Sequence, residues 1–363
     1  MRIVIACGGT GGHFYPGYAL GRCLRERGHE VLYCLRTGDP AGPRLAAEDL
    51  PYFELPLRGF PREPSLAWLG FGLALARSMR IARNTLRVWR PSAAVGMGGY
   101  LSFPLAAAAG GLGIPLILHE ANAVLGLANK AGLPFAEVLA TGFPMEEGAR
   151  RARIVFTGTP VRRELWERSR RSEARAALGL DPDALVVLVF GGSQGARSLN
   201  GDLPPILAEA CARGPRFQVL HLAGPAGSAE VEALYASLGA PKAVVRGYLD
   251  DMKLAYAASD LAVCRSGAAT LAELAAQALP ALLIPYPAAS NDHQAANALR
   301  LERAGAARML REPLGGPRVL QALEALLRPA SLLEMSRAYG KAGFPPPAEC
   351  VGRLADLVEE AAG

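Results

Sequence analysis

The chain has 363 residues, 51% of them hydrophobic, and a net charge of +6. That length points to two domains rather than one core, and the absence of a run of about twenty uncharged apolar residues argues against a spanning helix. The six cysteines (7, 23, 34, 211, 264, 350) lack C-x-x-C spacing, which argues against a zinc site or a disulfide framework and for a reducing, cytoplasmic setting.

In chain order, the first strand signal (2–7) begins at Arg2, so no leader is expected. It runs into GGTGGHFYPG (8–17). Glycines let a backbone approach a ligand closely, and the helix start behind them offers unpaired N–H groups and a partial positive charge, a cradle for phosphate. His13 stands where that helix begins; its ordinary pKa near 6.5 suits a general base, the alternative being a capping or packing histidine. The second strand (30–35) is followed by Arg36, not by an acid, and the glycine spacing is not G-x-G-x-x-G, so a dinucleotide site is disfavoured.

Residues 64–90 predict a helix with Leu75, Met79, Ala82, Leu86 and Trp89 on one face and Arg77, Arg80, Arg83, Arg87 and Arg90 on an adjacent one, preceded by Trp68, Leu69, Phe71 and Leu73. This reads either as a helix packed on a sheet with a solvated arginine face or as a dock for an anionic membrane. The strand at 93–97 ends in Gly98-Gly99-Tyr100, and that at 115–119 in His119-Glu120-Ala121-Asn122. Both tips fall at the carboxyl edge where open α/β sheets bind ligands; Glu120 is the second candidate base. Strands at 137–141 and 153–157 complete the first half, and 158–162 is the expected hinge.

The strand at 185–190 leads into a second version of the glycine turn, GGSQGAR (191–197). Strands follow at 217–222, 243–246, 260–264 and 281–284. Short apolar strands alternating with helices, and the repeated turn, predict an α/β protein of two Rossmann-like halves with parallel sheets. Asp181-Pro182-Asp183 reads as a turn, so no metal site is expected. Glu273 follows the strand at 260–264; its two oxygens suit the two hydroxyls of a ribose, the alternative being helix-dipole stabilisation of under about 1 kcal/mol. Gln294 and Asn297 share a helix face and suit sugar hydroxyls. Residues 316–363 read as helices with a proline-rich break at 345–347. Nothing resembles a nucleic-acid module.

Together GGTGGHFYPG (8–17), GMGGYLSFP (96–104), HEANAVLGLANK (119–130), GTPVR (158–162), GGSQGARSLN (191–200), GYLDDM (247–252), CRSGAATLAEL (264–274) and NDHQAANA (291–298) resemble the MurG-type glycosyltransferases of peptidoglycan synthesis, family 28, in order and over most of residues 1–310. The resemblance implies a GT-B fold, two Rossmann-like domains facing each other across a cleft. Residues 1–160 would face the membrane and take the acceptor, 161–340 would bind UDP-GlcNAc, and the helix at 341–363 would pack back on the first domain. It implies inverting transfer of GlcNAc from UDP-GlcNAc to the 4-hydroxyl of undecaprenyl-pyrophosphoryl-MurNAc-pentapeptide, lipid I to lipid II.

Carried onto this chain, the resemblance gives Leu249 the uracil through its backbone and Glu273 the ribose. Arg162, Ser193 and Gln194 would hold the diphosphate, Ala268 and Thr270 the GlcNAc-phosphate region, and His293, Gln294 and Asn297 the sugar; the family often has Gln at the His293 place. Thr10, Gly11, Gly12, Tyr100 and Asn122 would hold the acceptor, with His13 or Glu120 as base. Trp68, Phe71, Leu75, Arg77, Arg80 and Arg87 would meet an anionic membrane, placing the protein peripherally on the cytoplasmic face with other cell-wall synthesis proteins as partners. No cofactor is expected, and Mg²⁺ is not expected to be essential. The alternatives are another GT-B protein (a glycolipid transferase or a UDP-GlcNAc 2-epimerase) and a non-catalytic subunit that recruits a partner to the membrane.

Overall fold

The computed structural model describes residues 1–57, 59, 67–145, 152–192, 194–239 and 241–363. They form two units, 1–163 with 345–363, and 164–344. The first unit therefore keeps Val161, Arg162 and Arg163, and the second extends to Phe344, a few residues from the expected boundaries.

In the first unit β1 (Arg2–Ala6), β2 (Glu30–Arg36), β3 (Tyr52–Leu55), β4 (Ala93–Gly96), β5 (Leu116–Glu120), β6 (Val138–Thr141) and β7 (Arg153–Phe156) make a parallel sheet in the order β3-β2-β1-β4-β5-β6-β7. Its helices are α1 (Gly11–Glu26), α2 (Gly42–Ala47), α3 (Ala67–Trp89), α4 (Ser102–Gly110) and α5 (Leu127–Gly132). Period-two alternation divides β1 between two cores: Ile3 and Ile5 pack on one face of the sheet, Val4 and Ala6 on the other. Both faces are covered, so the strands read as continuous apolar runs.

The second unit repeats the plan. Strands β8 (Leu185–Phe190), β9 (Phe217–Leu222), β10 (Ala243–Arg246), β11 (Leu261–Cys264), β12 (Ala281–Leu283) and β13 (Ala307–Met309) pair in the order β10-β9-β8-β11-β12-β13. Helices α6 (Arg171–Leu178), α7 (Arg197–Arg213), α8 (Ser228–Leu238), α9 (Met252–Ala258), α10 (Ala268–Gln277), α11 (His293–Ala304), α12 (Gly316–Leu326) and α13 (Pro329–Ala338) surround them. The strand order reverses between β1 and β4 in one sheet and between β8 and β11 in the other, and each reversal opens a crevice at the carboxyl ends.

The last helix, α14 (Pro347–Ala362), returns to the first unit, where Leu354, Ala355, Leu357 and Val358 join the core beside α1. Its rim is charged: Arg27 meets Asp356 at 2.7 Å and Glu359 at 2.8 Å, and His29 meets Glu359 at 2.7 Å. α3 buries Ser78, Ala82 and Leu86 and exposes Arg77, Arg80, Arg83 and Arg87. Phe71 and Leu75 pack against the core and so do not form its outer apolar surface; Trp68, Leu69 and Leu73, 41%, 69% and 75% exposed, do. Residues 64–66 of the predicted segment lie outside the described residues. No helix among the described residues is long and apolar enough to cross a membrane.

Candidate functional site

The first crevice is built from the tips of β1, β2, β4 and β5. β1 leads into the first glycine turn. A Cβ on Gly8 would lie 2.8 Å from the Leu35 Cα and 2.9 Å from the Arg36 amide, so the turn can rest on β2 only without a side chain. Gly9 adopts φ +103°, and its N–H donates to Asp39 Oδ2 at 2.6 Å. Asp39 is 7% exposed and also accepts from the Ala41 amide. No acid stands directly after β2, where the sequence has Arg36; the carboxylate arrives three residues later and is consumed by the turn itself.

α1 starts at Gly11 with no acidic residue and no side-chain cap, so Gly11 and Gly12 offer backbone N–H groups at a bare N-terminus. Thr10 spends its hydroxyl on His13, Oγ1 to Nδ1 at 3.0 Å. The His13 ring lies on the Gly98-Gly99 turn, where a Cβ on either glycine would come within 3.1 Å of ring atoms and both have positive φ (+89° and +71°). Tyr100 follows, half-buried, and burial raises its phenol pKa.

At the tip of β5, His119 is fully buried and donates from Nε2 to the Gly158 carbonyl at 3.1 Å; burial lowers its pKa and keeps the ring neutral. Glu120 is 4% exposed. Its Oε1 accepts from the Asn122 backbone and side-chain amides, both at 3.0 Å, and its Oε2 from the Gly126 N–H at 2.8 Å and Asn129 Nδ2 at 2.9 Å. With four donors on two oxygens, Glu120 clasps the 121–126 loop. It also gives Asn122 a partner within that clasp. Asn129, 1% exposed on α5, was missed because its position in the sequence carried no sign of what it would face.

The second crevice is built from β8, β11 and β12. α7 has neither an acidic first turn nor a side-chain cap, so its N-terminus is a second bare anion cradle. Gly195 and Gly224 have positive φ and lie against Ala223 and Gln194 respectively, seating the second turn on the tip of β9. Gln194 is exposed; Ser193 lies outside the described residues. After β11, Ser266 donates from Oγ to the Gln294 carbonyl at 2.8 Å. Gln294 Oε1 accepts from the Tyr286 N–H at 3.0 Å, and Asn297 Nδ2 donates to the Ser266 carbonyl at 3.2 Å. Asn297 is fully buried, so it holds the loop from below and is not a surface for a sugar. Ala268 is buried and Thr270 half-buried in the first turn of α10. His293 donates from Nδ1 to the Ser290 carbonyl at 2.7 Å. Glu273, half-buried on α10, accepts from the Tyr256 hydroxyl at 2.7 Å; Tyr256, 3% exposed on α9, is another contributor that the sequence did not mark. Leu249 is half-buried and Tyr248 46% exposed.

Arg162 belongs to the first unit, is 4% exposed and lies 4.1 Å from the centroid of the Tyr15 ring on α1, a cation–π stack. Asp181-Pro182-Asp183 forms a turn in which the Asp183 N–H donates to Asp181 Oδ1 at 2.9 Å.

The comparisons with known proteins agree with this architecture. Residues 3–141 match the glycosyltransferase family 28 N-terminal domain and residues 186–348 its C-terminal domain. The chain is 35% identical over 361 residues to the UDP-N-acetylglucosamine--N-acetylmuramyl-(pentapeptide) pyrophosphoryl-undecaprenol N-acetylglucosamine transferase of Elusimicrobium minutum, covering 99% of each. It is 38% identical to the enzyme of that name from Desulforudis audaxviator, covering 100% of this chain and 99% of the relative. Among solved structures, Acinetobacter baumannii MurG superposes with a TM-score of 0.78 at 27% identity over 99% of both chains. The fold is the two-domain α/β GT-B type, and the chain belongs to glycosyltransferase family 28.

Proposed function

We propose that the chain transfers N-acetylglucosamine, with inversion, from UDP-GlcNAc to the 4-hydroxyl of an undecaprenyl-pyrophosphoryl-MurNAc-peptide, the lipid I to lipid II step. The observation that carries this reading is full-length identity of 35% and 38% with transferases of that name, spanning both crevices.

In this reading the second unit holds the donor. The bare N-terminus of α7, with Ser193 and Gln194, takes the diphosphate and stabilises UDP as it departs. The Leu249 backbone takes uracil, Glu273 takes the ribose, and Ala268, Thr270, His293 and Gln294 line the sugar. Donation from His293 Nδ1 to Ser290 supports this, because it leaves Nε2 for a hydroxyl. The first unit takes the acceptor at Thr10, Gly11, Gly12, Tyr100 and Asn122.

His13 is the base. Thr10 Oγ1 and His13 Nδ1 lie 3.0 Å apart; in this reading Nδ1–H donates to Oγ1, which makes Nε2 the basic nitrogen that removes the proton from the 4-hydroxyl. Glu120 shapes the loop beside it. Charge on the diphosphate is met by helix N-termini, so turnover is expected without a divalent metal. The arginines of α3, with Trp68, Leu69 and Leu73, dock the protein on the anionic cytoplasmic face of the membrane, where other cell-wall synthesis proteins would meet it.

The test is UDP release from UDP-GlcNAc in excess EDTA, with and without a MurNAc-pyrophosphoryl-lipid acceptor. Acceptor-dependent release is expected. Release with free ManNAc and no acceptor would identify an epimerase, and no release under any condition would leave a recruiting subunit.

A further inference from the structure

Arg265 is the first residue after β11, inside the second crevice, yet its guanidinium turns away from solvent and is 10% exposed. Nη1 donates to the Ile284 and Pro285 carbonyls at 3.1 and 3.2 Å and lies 2.7 Å from Glu312 Oε1. Nη2 donates to Ser198 Oγ at 2.8 Å, and that hydroxyl donates onward to Glu312 Oε1 at 2.5 Å. The cation also lies 5.4 Å from the Tyr286 ring centroid. Apart from Tyr286, no residue named in the site above belongs to this network.

The network joins segments that are distant in sequence. Ser198 is in the first turn of α7, the helix whose N-terminus is the diphosphate cradle. Ile284, Pro285 and Tyr286 open the loop between β12 and α11. Arg265 itself precedes Ser266 and the start of α10. Tyr286 and Ser266 then pass the connection to Gln294 by their hydrogen bonds. One guanidinium therefore ties the first turn of α7 to the loops that follow β11 and β12.

Glu312, which follows β13 and is 16% exposed, is the counter-charge that makes this arrangement affordable. Removing one partner of a largely buried pair leaves an uncompensated charge, and such a charge draws in water or moves toward it. Here that movement would pull on the α7 turn and on the β12–α11 loop together.

We infer that Glu312, acting through Arg265 and Ser198, is a positioning residue for nucleotide-sugar binding that touches no substrate itself. The inference rests on the assignment of the donor to the second unit. A general stabilising pair would weaken all steps alike, whereas a positioning pair acts on the donor.

Steady-state kinetics with UDP-GlcNAc and the lipid-linked acceptor varied in turn separates the two. Glu312→Ala should raise the donor KM about tenfold, the equivalent of one lost buried hydrogen-bonding partner, with kcat and the acceptor KM within about threefold. Glu312→Gln keeps an acceptor oxygen for Ser198 and Arg265 but drops the counter-charge, and should recover part of the loss. Parallel changes for both substrates, an unchanged donor KM, or a Gln variant as impaired as Ala would overturn the inference. Should Glu312→Ala fail to fold, Ser198→Ala decides: a raised donor KM supports the network, and an unchanged one overturns it. A wild-type protein that releases no UDP with the acceptor overturns the functional reading instead.

Discussion

At the scale of single residues, two side chains that looked alike in the sequence have separated. His13 and Glu120 both follow apolar strands at the same sheet edge, and either type can serve as a base. The structure distinguishes them by their partners: Glu120 has a donor on every side, while His13 lies on a glycine turn with Thr10 fixing one nitrogen. His13→Ala is expected to reduce turnover by roughly 10²–10⁴ with UDP affinity kept; isothermal titration with UDP beside kinetics checks it, and a parallel loss of UDP affinity would remove His13 from the base role. Glu120→Gln turns an acceptor into a donor facing donors. It should raise the acceptor KM while leaving the acid limb of the kcat/KM profile where it was. A shifted limb would return Glu120 to the chemistry. On the donor side, Tyr256→Phe removes the bond that aims Glu273. UDP affinity should fall by about threefold to tenfold, the equivalent of one hydrogen bond of about 1 kcal/mol, and deoxy-UDP should suffer less than UDP because it lacks the hydroxyl that Glu273 is meant to read.

At the scale of elements, the sequence was legible wherever burial on both faces wrote a continuous apolar run. Strands β1, β2, β4 to β12 and the two glycine turns could be read off directly. The two strands it did not reveal, β3 and β13, each lie at one edge of their sheet, as β7 and β10 do at the other. β7 and β10 keep the apolar runs Ile-Val-Phe and Ala-Val-Val, whereas β3 and β13 are short segments interrupted by a charge, Tyr-Phe-Glu-Leu and Ala-Arg-Met, so their pattern fades into the flanking loops. Site residues followed the same logic. Those on a strand tip or glycine turn announced themselves, whereas Asp39, Asn129, Tyr256 and Glu312 come from neighbouring elements and are assigned by tertiary contact alone. The periodicity of α3 gave its buried stripe but not which apolar residues remain outside, because that depends on where the helix overhangs its neighbours. Its exposed surface supports a prediction: Arg80→Glu with Arg87→Glu should reduce co-sedimentation with anionic vesicles, and Leu73→Glu should do so without altering the arginines. Unchanged sedimentation in both would leave α3 as packing.

At the scale of the whole molecule, each unit is tied to neutral pH by buried groups that titrate badly. His221 on β9 is fully buried, with Nδ1 bonded to the Tyr235 hydroxyl at 3.1 Å and Nε2 to Asn200 Oδ1 at 3.2 Å. The amide oxygen can only accept, so Nε2 carries a proton, and in the neutral ring Nδ1 accepts from the Tyr235 hydroxyl. Burial lowers its pKa to about 4, against 6.5 in the unfolded chain. The unfolded state therefore takes up a proton first as pH falls. Stability is full above about pH 6.5, declines between 6.5 and 4, and levels off below; the displacement corresponds to about 3 kcal/mol for the second unit. His119, also lowered by burial, adds a slope of the same sign in the first unit. Glu359 acts lower down: its carboxyl is held below 4.5 by His29 and Arg27, so its contribution to the docking of α14 is present above that value and is lost as pH falls through the depressed one. Urea denaturation at intervals from pH 8 to 4 should show the upper decline, and His221→Gln, neutral throughout, should flatten it whatever its stability at pH 8. A slope that survives the substitution would mean that His221 is not the group being protonated, and that the hydrogen bonds to Tyr235 and Asn200 do not hold it neutral.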